Sequence, residues 1–286
     1  MQRAIYVVLI ISFFACQEDK QPTNKALDAI PIDAAIIIES NDVSKSLKEL
    51  SKSAPWTLLA TQTSLEVKQQ KLLRIDSVLA LYASHLTSIN PLFISLHLTG
   101  AQTLNWLATT SIKGQEQKFQ LLDIGLKNFA NTKEKPYSNS TITEVSIEGD
   151  QMYYCMHMGL VFISPEKILI QDAIRQLKTE NNLSANKSFQ NIYSSSNKKD
   201  DFNLYVNSKN FDKMSAGFLQ KKSNIQSQAE WFQWDLDVLK NGILFSGLCL
   251  SLDSLAHELQ NFENNDGHPL LAPSILPKNT TLFTSR

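Results

Sequence analysis

Residues 232–238 constrain this chain more than any other stretch. Phe232, Trp234, Leu236 and Val238 alternate with Gln233, Asp235 and Asp237. Period two is the mark of a strand with one packed face and one wet face. The apolar set is expected inside and the polar set outside. Leu239-Lys240-Asn241-Gly242 follows, and Asn-Gly is the strongest short signal for a hairpin turn. Gly242 to Leu252 then reads as the return strand. A chain that contains this hairpin builds at least part of an antiparallel sheet.

The rest of the pattern agrees. Ile36-Ile37-Ile38 is a short β-branched run and reads as a buried strand. Asp42 can cap a following helix with Val43, Leu47 and Leu50 on one face, which Pro55-Trp56 breaks. Leu72, Ile75, Leu79, Tyr82 and Leu86 form one helical stripe, ended by Asn90-Pro91. Strands are expected over 92–98 and 103–111, and Phe119, Leu122, Leu126 and Phe129 have helical spacing. Three more strands follow, over 141–147, 151–157 and 160–164. A helix with Ile170, Ala173, Ile174 and Leu177 inward comes next. Asn181 to Ser188 and Ser194 to Asp201 read as polar loops around a short helical stretch, and Phe202 to Val206 as a strand. Hairpins mixed with helices, without regular βαβ alternation, predict an α+β fold on a largely antiparallel sheet with packed helices.

Composition narrows the function classes. The 286 residues carry 27 Lys+Arg and 28 Asp+Glu, a near-balance that offers no basic footprint for nucleic acid. With 43% hydrophobic and 19% charged residues the chain has globular composition. Nine glycines leave little for phosphate-cradling loops, and three cysteines are too few for a disulfide framework.

The N-terminus is an address. Arg3 precedes Ala4 to Ala15, a run of AIYVVLIISFFA without charge, too short to span a bilayer in comfort but suited to a signal h-region. It ends at Phe13-Phe14-Ala15-Cys16. A small residue before Cys resembles a bacterial lipoprotein signal, with Phe13 where Leu is commonest. The resemblance implies acylation of Cys16, palmitate included, and removal of residues 1–15. The alternative is an ordinary cleaved signal with an incidental Cys. Gln17-Glu18-Asp19-Lys20 resembles the acidic export cluster of Bacteroidetes-type surface lipoproteins, which points to display on the cell surface. Attachment facing the periplasm is the alternative. Losing Arg3 leaves 27 − 1 = 26 basic against 28 acidic residues, so the lipid alone would hold the chain to its membrane.

The expected organisation is a signal peptide over 1–15, a polar tether over 16–27 and an α+β body over 28–273. Residues 274–286 come last. There, Ile275-Leu276-Pro277-Lys278-Asn279-Thr280-Thr281-Leu282-Phe283 matches the pattern of residues 29–37. Either a second structural repeat begins here, in a truncated product, or a last strand returns to the sheet.

The Ile30-Pro31-Ile32-Asp33-Ala34-Ala35 strand, the Trp56 helix, Arg74-Ile75-Asp76-Ser77 and Ile94-Ser95-Leu96-His97 together resemble a family of Bacteroidetes-type envelope lipoproteins with duplicated α+β domains. The resemblance spans roughly residues 28 to 286. It implies no activity and no catalytic residue.

Candidate chemistry is sparse. His97 shares a strand face with Ser95 and Thr99, opposite Ile94, Leu96 and Leu98. It is a candidate general base or ligand, or a hydrogen-bonded polar-face residue. Cys155 and His157 share a face, too few for a structural zinc site, so no metal and no cofactor are expected. Cys155 and Cys249 can form one disulfide outside the cytoplasm, or stay as buried thiols. Ser164-Pro165-Glu166-Lys167 has S-x-x-K spacing but no partner motif, and reads as a helix cap with Pro165 at the first helical position. Asp235 and Asp237 are expected on the wet face. Trp231 is the aromatic residue that alternation leaves outside, a candidate contact for a glycan or protein partner. Asp76-Ser77-Val78 and Asp253-Ser254-Leu255 fit a loose O-glycosylation pattern. The expected function is a non-enzymatic binding or scaffolding role at the envelope; an envelope hydrolase with an unrecognised site is the rival.

Overall fold

The computed structural model describes residues 25–57, 91–100, 103–147, 150–219 and 229–251. The signal region, Cys16, the 72–86 stripe, both O-glycosylation patterns and the 275–283 segment lie outside the described residues.

The fold is α+β. One ten-stranded antiparallel sheet runs in the order β10-β9-β8-β1-β2-β3-β7-β6-β5-β4. Its strands are β1 Ile36–Ser40, β2 Leu92–Gly100, β3 Thr103–Ser111, β4 Asn131–Tyr137, β5 Ser140–Ile147, β6 Asp150–His157, β7 Leu160–Ser164, β8 Phe202–Asn207, β9 Ala229–Leu239 and β10 Gly242–Ser251. Helices bounded within the described residues are α1 Lys25–Asp28, α2 Val43–Lys52, α3 Glu116–Phe129, α4 Lys167–Gln176, α5 Lys187–Ser195 and α6 Ser208–Leu219, and residues 54–57 are helical as well.

Tight turns join the hairpins where the backbone can afford a positive φ. Ser138 and Asn139 take φ of 49° and 61° between β4 and β5, and Met158 and Gly159 take 52° and 77° between β6 and β7. The β9–β10 hairpin forms as expected, but its turn is not centred on Asn-Gly. Gly242 already pairs with Leu239, leaving Lys240-Asn241 as the loop. Asp42 caps α2 by accepting from the Lys45 N–H at 3.0 Å.

Two strand faces hold two cores. On the first, Ile37, Phe93, Leu107, Ile142, Cys155, Phe162, Tyr205 and Trp231 pack with α4 (Leu169, Ile170, Ala173, Ile174) and α5 (Phe189, Ile192). On the second, α3 sets Phe119 and Leu122 against Val161, Met156 and Ile163. Ala26 and Leu27 of α1 also belong to the first core, so the folded body includes the last residues of the stretch read as a polar tether.

The face assignment in β9 is the reverse of the sequence expectation. Trp231 and Gln233 are buried on the first face, at 3% and 1% exposure. Phe232, Trp234, Leu236 and Val238 lie half-buried on the second, where the Phe232 and Trp234 rings stack with centroids 5.7 Å apart. The same holds in β2, where Phe93, Ser95 and His97 are fully buried and Leu92, Ile94, Leu96 and Leu98 are half-buried. Both faces of this sheet carry apolar material, so alternation shows that the faces differ without showing which is packed more tightly.

β4 escapes sequence reading because Asn-Thr-Lys-Glu-Lys-Pro-Tyr has no alternation. It becomes a strand by pairing with β5 from Asn131↔Ser146 to Tyr137↔Ser140. α6 was likewise not expected. Gly247 is required by close approach: a Cβ there would meet the Gln233 carbonyl at 2.1 Å and the Trp234 ring edge at 2.8 Å.

Candidate functional site

The first face carries more polarity than a core usually does, and it gathers into two clusters. The first centres on His97, in the middle of the sheet. Period two places Ser95 beside it on β2, and the Pro31–Ala34 turn before β1 brings in Asp33. His97 Nδ1 lies 3.0 Å from Asp33 Oδ1, and Nε2 lies 2.8 Å from Ser95 Oγ. This is the hydrogen-bond order of nucleophile, base and orienting acid. The exposure, however, is reversed. Ser95 and His97 are fully buried, and Ser95 Oγ also lies 3.3 Å from the Leu107 carbonyl, to which it can donate. Asp33, the acid that a hydrolase keeps inside, is the exposed member, with 66% of its side chain accessible. A nucleophile walled into a sheet cannot meet a carbonyl carbon, so as described the arrangement ties the pre-β1 turn to β2.

That tie is electrostatic. The hydrogen bond from His97, the largest influence, holds the Asp33 carboxyl below its ordinary range, against a smaller upward push from burial. A lowered folded-state value contributes stability above the unfolded carboxylate pKa, about 4, and loses it as pH falls through the folded value. His97→Ala is therefore expected to flatten the acid limb of the stability curve below about pH 4, as read by urea melts from pH 2 to 6. An unchanged acid limb would mean that the pair does not act.

The second cluster lies at the end of the sheet where β1 and β9 finish. Glu39 is buried at 1% exposure and accepts from three groups. Lys198 Nζ donates to its Oε2 at 2.6 Å, Tyr205 OH donates to the same oxygen at 2.7 Å, and Tyr193 OH donates to Oε1 at 3.3 Å. Lys198 also donates to Tyr205 OH at 2.8 Å and sits 3.5 Å from the centre of the Tyr193 ring. Ser196 Oγ is 2.8 Å from Tyr205 OH. Burial lowers the lysine's proton affinity, and the attraction of Glu39 opposes it. Burial first, then the Glu39 charge, drives the Tyr205 phenol far upward. A phenol held neutral and a lysine paired as a cation supply neither a phenolate nor a free amine. The cluster locks the 196–201 loop: Asn41 Nδ2 donates to the Lys198 carbonyl at 2.7 Å, and Ser46 Oγ donates to the Asp201 carbonyl at 2.8 Å.

The remaining candidates fall elsewhere. Trp231, expected outside as a partner contact, is in the core against Phe189, with centroids 4.9 Å apart. Asp235, expected to be wet, is half-buried and accepts from Asn203 Nδ2 at 2.6 Å and from the Asn197 N–H at 3.2 Å. Cys155 and Cys249 are free thiols. Strands β9, β8, β1, β2, β3 and β7 separate β10 from β6, which excludes a bridge within one chain. Burial pushes the Cys155 thiol up to about 11, so it stays protonated and inert. His157 Nδ1 meets Ser140 Oγ at 2.5 Å, and Ser140 lines an open hollow of about 410 Å³ on the β4–β5 hairpin. Ser164 Oγ donates to the Trp106 carbonyl and accepts from the Glu166 N–H, and α4 begins at Lys167 rather than at Pro165. Among the described residues no group of three or more His, Cys, Asp or Glu is placed to hold a metal.

Sequence reasoning found His97 and Ser95 but missed Asp33, Glu39, Lys198 and Tyr205. Period two was the signal for the first pair. Asp33 meets His97 across 64 positions, and Lys198 and Tyr205 meet Glu39 across 159 and 166, distances at which one sequence carries no local signal. Comparison with protein-family models, with curated proteins and with solved structures yields no match.

Proposed function

We propose that the chain is an outer-membrane lipoprotein of the Bacteroidetes type, held by lipid on Cys16, whose α+β body binds or scaffolds rather than turning over a substrate. One observation carries the anchor: an uncharged twelve-residue run after Arg3 that ends in Ala15-Cys16. The acidic residues just past Cys16 support display on the cell surface. The likeness of residues 275–283 to residues 29–37 supports a duplicated architecture of which this body is the first unit.

Cells fed an alkyne analogue of palmitate are expected to label the wild-type protein in the membrane fraction. Cys16→Ser should abolish the label and release the chain from the membrane, because the mature N-terminal stretch has no basic patch to hold it. Label that survives Cys16→Ser would remove the anchor from this reading.

The rival reading is an envelope hydrolase, and the Asp33–His97–Ser95 hydrogen-bond order is what favours it. A fluorophosphonate probe separates the two. The binding reading expects Ser95 to stay unlabelled. Labelling at Ser95 that His97→Ala abolishes would replace it with the hydrolase.

A further inference from the structure

The two edges of the sheet are built on opposite rules. β4 closes one edge with Lys133, Glu134, Lys135 and Pro136, all exposed. Charges and a proline without an N–H are the ordinary guards of an open edge. β10 closes the other edge with Gly-Ile-Leu-Phe-Ser-Gly-Leu-Cys-Leu-Ser, which has no charge and no proline. Among the described residues its one strand neighbour is β9. Leu244 and Phe245 point to opposite faces and are each 55% exposed. A long, apolar, uncharged edge of this kind is a template for another strand.

The order of side chains along β10 identifies that strand. We propose that β10 pairs antiparallel with β10 of a second copy of this chain, about a two-fold axis through Phe245. In this register Phe245 faces Phe245, Leu244 faces Ser246, Ile243 faces Gly247 and Gly242 faces Leu248. Three times over, a large apolar residue meets a small one. Each apposed pair shares a face, as antiparallel pairing requires. A charged strand turned on itself would bring like charges together, and β10 has none to bring. The two-fold runs normal to the sheet, so two ten-stranded sheets continue as one and each keeps its α4 and α5 on the same side. Phe245 and Leu244 lose their exposure in the pair. The inference stands apart from the anchor, because it uses only β9 and β10.

The test uses the full chain in its own cells. Phe245→Cys, in a Cys249→Ser background, places two thiols across the axis. Apposed antiparallel Cα atoms stand about 4.5–5.5 Å apart, within the reach of a disulfide. A reducible band at twice the monomer mass is expected, together with none from Met158→Cys. That control residue is 64% exposed, at the β6–β7 turn. Phe245→Lys is expected to weaken association of the extracted protein at least about tenfold by native mass spectrometry, since it sets two ammonium groups face to face. Both sites are exposed, so the fold should survive either change. A wild-type chain that is monomeric at micromolar concentration would overturn the proposal. So would equal cross-linking through Met158→Cys, or protection from hydrogen exchange, in the monomer, of those β10 amides that do not bond β9, since the edge would then be filled from within one chain.

Discussion

Lys198→Met is expected to destabilise the protein by about 3 kcal/mol, the low end of what breaking a buried ion pair costs. The low end applies because the lysine side chain is 38% exposed while its partner Glu39 is 1% exposed. The penalty comes from what stays behind, a carboxylate inside the core without its cation. A second change separates that cause from simple loss of packing. Glu39→Gln on top of Lys198→Met removes the stranded charge and keeps an oxygen for Tyr205 OH, which now donates to Glu39 at 2.7 Å. At least half of the lost stability should return, as measured by urea melts of all four proteins in a double-mutant cycle. If the double variant is as unstable as the sum of the singles, the cluster is not coupled and the lock on the 196–201 loop is wrong.

Trp231→Ala is expected to cost about 4 kcal/mol, because it empties a large volume from the core. The ring is 3% exposed and stands edge-on to Phe189. Trp231→Phe should cost less than about 1.5 kcal/mol, since it conserves most of the volume and removes an indole N–H that finds no partner among the described residues. The pair of variants discriminates between the two readings of β9. If Trp231 were the outward residue that alternation suggests, both changes would fall within the small range of surface substitutions. Acrylamide quenching gives an independent check: the Trp231→Phe variant should lose the least accessible part of the tryptophan emission.

Most of the element order was legible because local chemistry sets it. Asp42 before α2, the apolar steps at Phe119 and Leu122, and the alternation in β9 each act within one or two turns of chain. These signals gave strand and helix positions that the structure matches to within a few residues. What was missed has a common cause. β4 has no pattern of its own and is a strand only because β5 lies beside it. The Lys240-Asn241 loop replaces the expected Asn-Gly turn because the Gly242↔Leu239 pairing fixes the register from further along the strands.

The candidate clusters divide in the same way. Ser95 and His97 stand two apart on one strand, so their shared face could be read directly. That this face is the buried one could not, because Ile94, Leu96 and Leu98 on the other side make an equally good core by composition. The Glu39, Lys198, Tyr193 and Tyr205 network joins β1 to the consecutive α5, loop and β8, which lie 154 to 166 positions further along the chain.

By itself, then, the sequence determined an antiparallel α+β body, because periodicity and capping residues act locally. The tertiary structure alone decided which face of each strand is buried, that Trp231 is core, that Cys155 and Cys249 lie too far apart to bridge, and that β10 is the edge strand among the described residues. Those outcomes depend on strand order and register, which long-range packing selects from among alternatives that one strand, read alone, leaves equal in energy.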